Sequence, residues 1–129
     1  MQFSSEYQIN FSDINIGNHL SSSNYLSYVN NTIADYFISL GFKIDDFFGY
    51  KYIMTNVEMD FKSEIKYPST IHSHMDISFI KKTRIIFSIS FEVNGTIKFI
   101  CTVTGVFLNK TQKPHPIDNS MKKVLKNDI

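Results

Sequence analysis

The spacing of hydrophobic residues predicts one long helix in the first third of the chain. Between Ser23 and Leu40, apolar side chains recur every three or four positions, which is the repeat of one face of an α-helix. This stripe consists of Leu26, Val29, Ile33, Phe37 and Leu40. Gly41 suits the C-cap, and the serines at 21–23 offer side-chain oxygens to the first-turn N–H groups. We therefore expect a helix from about Ser23 to Leu40.

The pattern changes after Tyr52, where apolar and polar residues alternate as they do in half-buried strands. The clearest strand spans residues 83–93 and places on one face Ile85, Phe87, Ile89, Phe91 and Val93. Asn94-Gly95 is typical of a tight hairpin, so the next strand should return antiparallel. Its predicted inward face consists of Ile97, Phe99, Cys101, Val103 and Phe107.

Two further strands are predicted upstream of this hairpin, and a shorter one precedes the helix. The inward residues of the first are Ile53, Val57, Met59 and Phe61. Those of the second are Ile71, Met75, Ile77 and Phe79. With a short strand over Glu6–Ser12, the pattern predicts an α+β domain in which about five antiparallel strands wrap one helix. The unpaired edges favour a homodimer, with a tetramer as a further assembly.

Composition narrows the class of protein. The length of 129 residues suits a single domain over residues 1–129, and 13 basic against 12 acidic residues favour neither nucleic acid nor an anionic membrane as a partner. No apolar run is long enough for a membrane span. With one cysteine, Cys101, and no signal-like start, we expect a cytoplasmic protein without internal disulfides. The lysine-rich end at 121–129 suggests a tail or an exposed last helical turn.

The segment between the first strand and the helix has a recognisable order of residues: Asp13, Asn15, Gly17, His19 and Leu20. Together with the order of elements, this segment resembles the opening of hot-dog fold thioesterases of the 4-hydroxybenzoyl-CoA and acyl-CoA type. The resemblance implies a hot-dog fold and hydrolysis of acyl-CoA or acyl carrier protein thioesters. It also implies no cofactor besides the coenzyme A of the substrate. The acyl chain would lie at the dimer interface, with its carbonyl at the helix start.

Two positions depart from that family. Some members use the second acidic residue of the loop in catalysis, where this chain has Asn15, and others use a carboxylate in the helix, where it has Asn31. The loop thus keeps one carboxylate, Asp13. Two functions from different classes follow: a thioesterase, or a non-catalytic dimer that binds acyl groups or thioesters. A hot-dog dehydratase ranks behind both, because its usual His-rich loop with proline is not evident.

The predicted catalytic residues are Asp13, Asn15 and His19. Asp13 would act as base or nucleophile, although an aspartate here also commonly ties a turn. Asn15 would orient a water or the thioester oxygen, or serve turn geometry, and His19 would bond to substrate or brace Asp13, or be structural. The predicted substrate-binding residues are Gly17, Asn18, Leu20, Asn31 and Glu64, of which Glu64 is also a substitute carboxylate.

Other groups of polar residues give weaker signals. His72 and His74 share a strand face but lack a third ligand at useful spacing, so no metal is predicted. The basic residues Lys81, Lys82 and Arg84 either meet coenzyme A phosphates or form a solvated hairpin end.

Overall fold

The structure is a computed structural model, and it describes residues 2–15 and 17–126. Its elements, in chain order, are strand β1 (Phe3–Gln8), a 3-10 turn (Phe11–Asp13), helix α1 (Ser22–Ser39), strands β2 (Lys51–Phe61), β3 (Thr70–Lys81), β4 (Arg84–Val93) and β5 (Thr96–Leu108), and helix α2 (Asn119–Lys126). The strands form one antiparallel five-stranded sheet in the order β1-β3-β4-β5-β2. One long helix on an antiparallel sheet is the α+β architecture that the sequence predicts.

Helix α1 begins and ends one residue before its predicted limits, and its buried face is wider than predicted. Val29, Ile33 and Phe37 are fully buried, as the stripe requires. Three tyrosines, Tyr25, Tyr28 and Tyr36, are buried beside them. The hydroxyls of Tyr28 and Tyr36 donate hydrogen bonds to protein oxygens. These bonds replace the bonds to water that a phenol loses when it is buried.

The inward face of β4 is confirmed, whereas three predicted core residues lie on the opposite face of the sheet: Ile53, Phe79 and Ile97. Each lies near a shift in strand register. The shift near Ile53 falls between Met54 and Asn56, and the shift near Phe79 falls between Ile77 and Phe79. Ile97 lies opposite a third shift, between Phe91 and Glu92. One extra residue in a strand reverses the facing of every residue beyond it, because the side-chain period is two. Phe79 and Ile97 are consequently 43% and 39% exposed.

Strand β1 was predicted at Glu6–Ser12 and lies instead at Phe3–Gln8. It pairs with β3 from Phe3 opposite Met75 to Gln8 opposite Thr70, where β3 begins. Beyond that point there is no partner strand for the chain to follow, so it turns at Phe11–Asp13. The shift places Asp13 in a turn beside α1.

The carboxyl end is a second correction. Residues predicted as a tail or an exposed turn form α2, whose Met121 and Leu125 are fully buried. Residues 127–129 of that predicted tail lie outside the described residues.

The two sheet edges are β1 and the longer β2, which has 11 residues. Among the described residues, no helix combines the length and apolar character needed to cross a membrane.

Candidate functional site

The side chain of Asn15 shapes the loop that leads into α1. Its Oδ1 accepts hydrogen bonds from the backbone N–H of Gly17 at 3.0 Å and of His19 at 3.2 Å. The backbone N–H of Asn15 donates to the carbonyl of His19 at 2.9 Å. This pattern is typical of an asparagine that fixes a turn. The carboxamide oxygen of Asn15 therefore holds the backbone at Gly17 and His19.

Asp13 lies on the side of this loop that faces β1 and α1. Its Oδ2 accepts a hydrogen bond from the hydroxyl of Tyr28 at 2.5 Å and one from the N–H of Asn10 at 3.3 Å. Its backbone carbonyl accepts from Nδ2 of Asn24 at 2.8 Å. Burial, helped by the bond to Asp13, raises the pKa of Tyr28 to about 12, so the phenol stays protonated as a donor. Asp13 thus ties the loop to the first turns of the helix.

His19 and Glu64 meet on the other side of the loop. Nδ1 of His19 lies 3.1 Å from Oε2 of Glu64, an ion-pair distance without hydrogen-bond alignment. The imidazole lies directly over Gly17, where a Cβ atom would be 2.8 Å from Cδ2 of the ring. A side chain at position 17 would therefore overlap the imidazole in its present position, so glycine leaves room for the ring beside Glu64.

A cavity of about 270 Å³ opens beside this pair. It is lined by His19, Leu20, Ser22, Tyr25, Phe61, Ser63 and Glu64. The cavity thus joins an imidazole, one carboxylate, two aromatic walls and the first turn of α1. We refer to this candidate for a catalytic site as the catalytic cavity. The lining includes four residues that were not predicted as site residues: Ser22, Tyr25, Phe61 and Ser63.

The start of α1 differs from its prediction in one respect. Ser21 is the N-cap residue, but its hydroxyl makes no capping hydrogen bond to the first turn. The hydroxyl instead accepts from Nδ2 of Asn24 at 2.9 Å. No serine side chain covers the first-turn N–H groups, which carry the positive end of the helix dipole. The N–H groups of Asn24 and Tyr25 donate to the carbonyl of Ser21, and Ser22, in the same turn, lines the catalytic cavity.

The other predicted substrate-binding residues are distributed around the loop. Leu20 is buried, and its N–H donates to the carbonyl of Ile65 at 2.9 Å, which joins the loop to the segment carrying Glu64. Asn18, at a φ of 58°, brackets the backbone of Tyr67 through bonds of 3.2 and 3.3 Å. Asn31 is exposed on α1 and does not line the catalytic cavity. It is nine residues beyond Ser22, or about 14 Å along the helix.

The sequence did carry a signal for Tyr28, the partner of Asp13. Tyr28, Thr32 and Tyr36 recur at every fourth position and form a second stripe beside the aliphatic one. All three are buried in the structure, with Thr32 bonded to Ser73 at 2.8 Å. A stripe whose members carry hydroxyls indicates a face that packs and also donates hydrogen bonds.

The two histidines of β3 lie on the outer face of the sheet with acidic neighbours. His74 is 3.0 Å from Glu92, and His72 is 3.6 Å from Glu6. Within residues 2–15 and 17–126, no group of three or more His, Cys, Asp or Glu residues is arranged to hold a metal ion.

Comparison with known proteins agrees with this architecture. Residues 9–125 match the thioesterase-like superfamily, and the chain belongs to that family. A thioesterase superfamily protein from Jannaschia sp. CCS1 has a TM-score of 0.90 at 15% identity, covering 99% of this chain and 93% of that one. A DHNA-CoA thioesterase from Staphylococcus aureus has a TM-score of 0.82 at 17% identity, covering 93% and 83% respectively.

A gentisyl-coenzyme A thioesterase is similar to the same degree, with a TM-score of 0.84 at 16% identity and coverage of 93% of this chain and 99% of that one. At such identities the likeness establishes the fold, and the hot-dog prediction is confirmed. Among curated proteins, none matches the sequence.

Proposed function

We propose that this protein hydrolyses acyl thioesters in the catalytic cavity. The observation that carries the proposal is the meeting of Glu64, His19 and the first turn of α1 around one 270 Å³ space with aromatic walls. Thioester hydrolysis needs a base or nucleophile and donors for a carbonyl oxygen that becomes negative. Glu64 supplies the first, and the open N–H groups at the start of α1 supply the second.

In the proposed reaction the thioester carbonyl docks at the first turn of α1, with its carbon facing Glu64. The carboxylate takes a proton from water while the water oxygen bonds to the carbonyl carbon. The negative oxygen of the tetrahedral intermediate is held by the helix N–H groups. The C–S bond then breaks, and the proton on Glu64 passes to the leaving sulfur, which yields a carboxylic acid and a thiol. His19 positions the Glu64 carboxylate through the contact of 3.1 Å.

This assignment moves the base from Asp13 to Glu64. The Oδ2 atom of Asp13 accepts hydrogen bonds from Tyr28 and Asn10, so we propose that Asp13 fixes the loop. Asn15 serves the same purpose through its two bonds to the loop backbone. With amides at Asn15 and Asn31, a different carboxylate is needed, and Glu64 is the one that lines the catalytic cavity.

We further propose a cytoplasmic homodimer that acts on acyl-CoA or acyl carrier protein thioesters and needs no other cofactor. Two of the similar solved structures are thioesterases of CoA esters, DHNA-CoA and gentisyl-coenzyme A. Strand β2 is an edge of the sheet, and Phe61 at its end is 47% exposed while lining the catalytic cavity. A partner subunit paired along β2 would cover this wall and place the acyl chain at the interface.

The test is free-thiol release from a panel of short, long and aromatic acyl-CoA esters. Hydrolysis of at least one ester class by the purified chain supports the proposal. Binding of acyl-CoA without thiol release from any ester supports the alternative, a non-catalytic dimer, for which the amides Asn15 and Asn31 are the motivating observation. Light scattering during gel filtration tests the assembly, and a stable monomer at micromolar concentration contradicts the dimer.

A further inference from the structure

A second, larger cavity adjoins the catalytic cavity and has a different character. Its volume is about 470 Å³, and it shares two lining residues, Ser63 and Glu64, with the catalytic cavity. The polar and charged residues that line it are Ser63, Glu64, Lys66, Ser69, Asn94, Thr96 and Lys98. We call it the lysine cavity. A ligand occupying both cavities would pass over Ser63 and Glu64.

The lining of the lysine cavity is positively charged on balance, with two lysines against one carboxylate, Glu64. In the described part of the chain, neither Lys66 nor Lys98 forms an ion pair with a carboxylate, whereas Lys62 nearby pairs with Asp60 at 2.7 Å. The carboxylate of Glu64 is directed to His19, in the neighbouring cavity. Two ammonium groups beside one space attract an anion, since no acidic side chain within salt-bridge distance neutralises them.

The local fold holds this cavity next to the catalytic one. The carbonyl of Lys98 accepts hydrogen bonds from the N–H groups of Lys62 at 2.9 Å and Ser63 at 3.1 Å. The segment that carries Glu64 is thereby fixed to β5 beside the half-buried Lys98. The position of the two cavities relative to each other therefore depends on backbone contacts and not on mobile side chains.

The donors in the lysine cavity suit a phosphate group. Lysine binds phosphate as a point charge, and hydroxyl or amide donors complete the coordination of the oxygens. Within residues 2–15 and 17–126, the side chains of Ser63, Asn94 and Thr96 make no hydrogen bond and are available as donors. The hydroxyl of Ser69 already donates a hydrogen bond to the carbonyl of Lys66, so it is not counted among these donors.

We propose that the lysine cavity binds a phosphate of the substrate's thiol carrier, with Lys66 and Lys98 as the charged contacts. This inference rests on the proposed function, because it places the thioester in one cavity and the phosphate of the same ligand in the next. The shared chemistry is a phosphate ester on the 4′-hydroxyl of pantetheine, whose opposite end carries the thiol. Coenzyme A and the phosphopantetheine arm of a carrier protein both contain it.

The experiment compares three thioesters of one acyl group, carried by coenzyme A, by 4′-phosphopantetheine and by N-acetylcysteamine, which has no phosphate. In the Lys66→Met/Lys98→Met double variant, we expect the KM for both phosphate-bearing substrates to rise about tenfold or more, which is the loss of about 1.4 kcal/mol of binding per factor of ten. We expect kcat to stay within about twofold, and hydrolysis of the N-acetylcysteamine ester to be unchanged. Lys62→Met is the matched control, since its ammonium is paired with Asp60.

The arms of the test separate the sources of phosphate. An equal KM increase for the coenzyme A and phosphopantetheine esters assigns the cavity to the pantetheine phosphate. An increase for the coenzyme A ester alone assigns it to the nucleotide phosphates and overturns the pantetheine assignment. Equal changes for all three esters, or for none, contradict a phosphate site.

Failure of the proposed function is distinguishable from failure of this inference. If no ester is hydrolysed, including the N-acetylcysteamine ester, the proposed function fails, and titration calorimetry with free coenzyme A still tests the lysine cavity. Tenfold weaker binding of coenzyme A by the double variant supports the phosphate site, and unchanged binding overturns it. The single variant Lys66→Met, at an exposed residue, serves if the double variant does not fold.

Discussion

The two sides of the loop before α1 each hold a carboxylate, and the two carboxylates are in opposite situations. Asp13 accepts hydrogen bonds from Tyr28 and Asn10 on a single oxygen, beside the packed surface of α1. The carboxylate of Glu64 lies 3.1 Å from Nδ1 of His19 and lines a cavity. A carboxylate that holds the fold together has little freedom to take a proton from water, whereas one that faces a cavity beside an imidazole has that freedom.

The contrast also bears on Asn15 and Asn31, the two amides at positions where the family resemblance implies carboxylates. Asn15 accepts two backbone hydrogen bonds, so it contributes the turn that brings His19 over Gly17. Asn31 lies on the exposed side of α1. In the proposed site the loop contributes His19, while the carboxylate comes from the segment after β2.

The strongest way to break the comparison is to remove each carboxylate and measure stability. Asp13→Ala should lower the free energy of unfolding by about 1–3 kcal/mol, because it removes the near acceptor of the Tyr28 hydroxyl and leaves the carbonyl of Gln8 at 3.5 Å. Glu64→Ala, the matched variant, should change it by no more than about 0.5 kcal/mol, because the side chain is exposed. Urea unfolding measures both, and equal losses would show that the two carboxylates do not differ as described.

A second prediction concerns the position of the imidazole. Gly17→Ala places a Cβ 2.8 Å from Cδ2 of His19, so the ring must shift from the position in which its Nδ1 lies 3.1 Å from Glu64. We expect kcat/KM to fall about tenfold with little loss of stability, since small displacements of a positioned group are costly in catalysis. In a His19→Ala background the same substitution should have no further effect. An additional tenfold loss there would mean that Gly17 acts through something other than His19.

The smallest expected effect concerns the tie between Tyr28 and Asp13 at high pH. Burial raises the pKa of Tyr28 to about 12, above the value of 10.0 for a free phenol. Between pH 10 and 12 the unfolded chain binds fewer protons at this site than the folded one. The contribution of Tyr28 to the free energy of unfolding is therefore fully present below pH 10 and falls as pH rises through that window. The decline should be shallower in Tyr28→Phe. Parallel declines in thermal scans of the two proteins would contradict the assignment.

Much of the fold was predictable because it follows from periodicity. The inward face of β4, the core positions Val29, Ile33 and Phe37, and the hairpin at Asn94-Gly95, with φ angles of 51° and 80°, follow local rules of strands, helices and turns. The facing of Ile53, Phe79 and Ile97 could not be predicted in this way. A register shift is set by the pairing of strands distant in sequence, and it leaves no local alternation to detect.

The site was predictable in part. His19, Leu20 and Glu64 were selected from the sequence and do line one cavity, although Glu64 is 45 residues beyond His19 in the chain. Their contact depends on the bond between Leu20 and Ile65, a tertiary contact that no local pattern reveals. Phe61 was predicted as a core residue, and it became a cavity wall because β2 is an edge strand. Asp13 was predicted to be catalytic as a loop carboxylate, and its bond to Tyr28, 15 residues away in the chain, is not revealed by the local sequence.

The most direct test of the central claim is the turnover number of two isosteric variants, Glu64→Gln and Asp13→Asn, on an acyl-CoA ester that the wild-type protein hydrolyses. Both changes keep the shape of the side chain and remove its negative charge. If Glu64 is the base, its variant should lose about a hundredfold or more in kcat, as loss of a general base implies, while the Asp13 variant stays within about tenfold of wild type. A hundredfold loss at Asp13 with turnover retained at Glu64 would contradict the account.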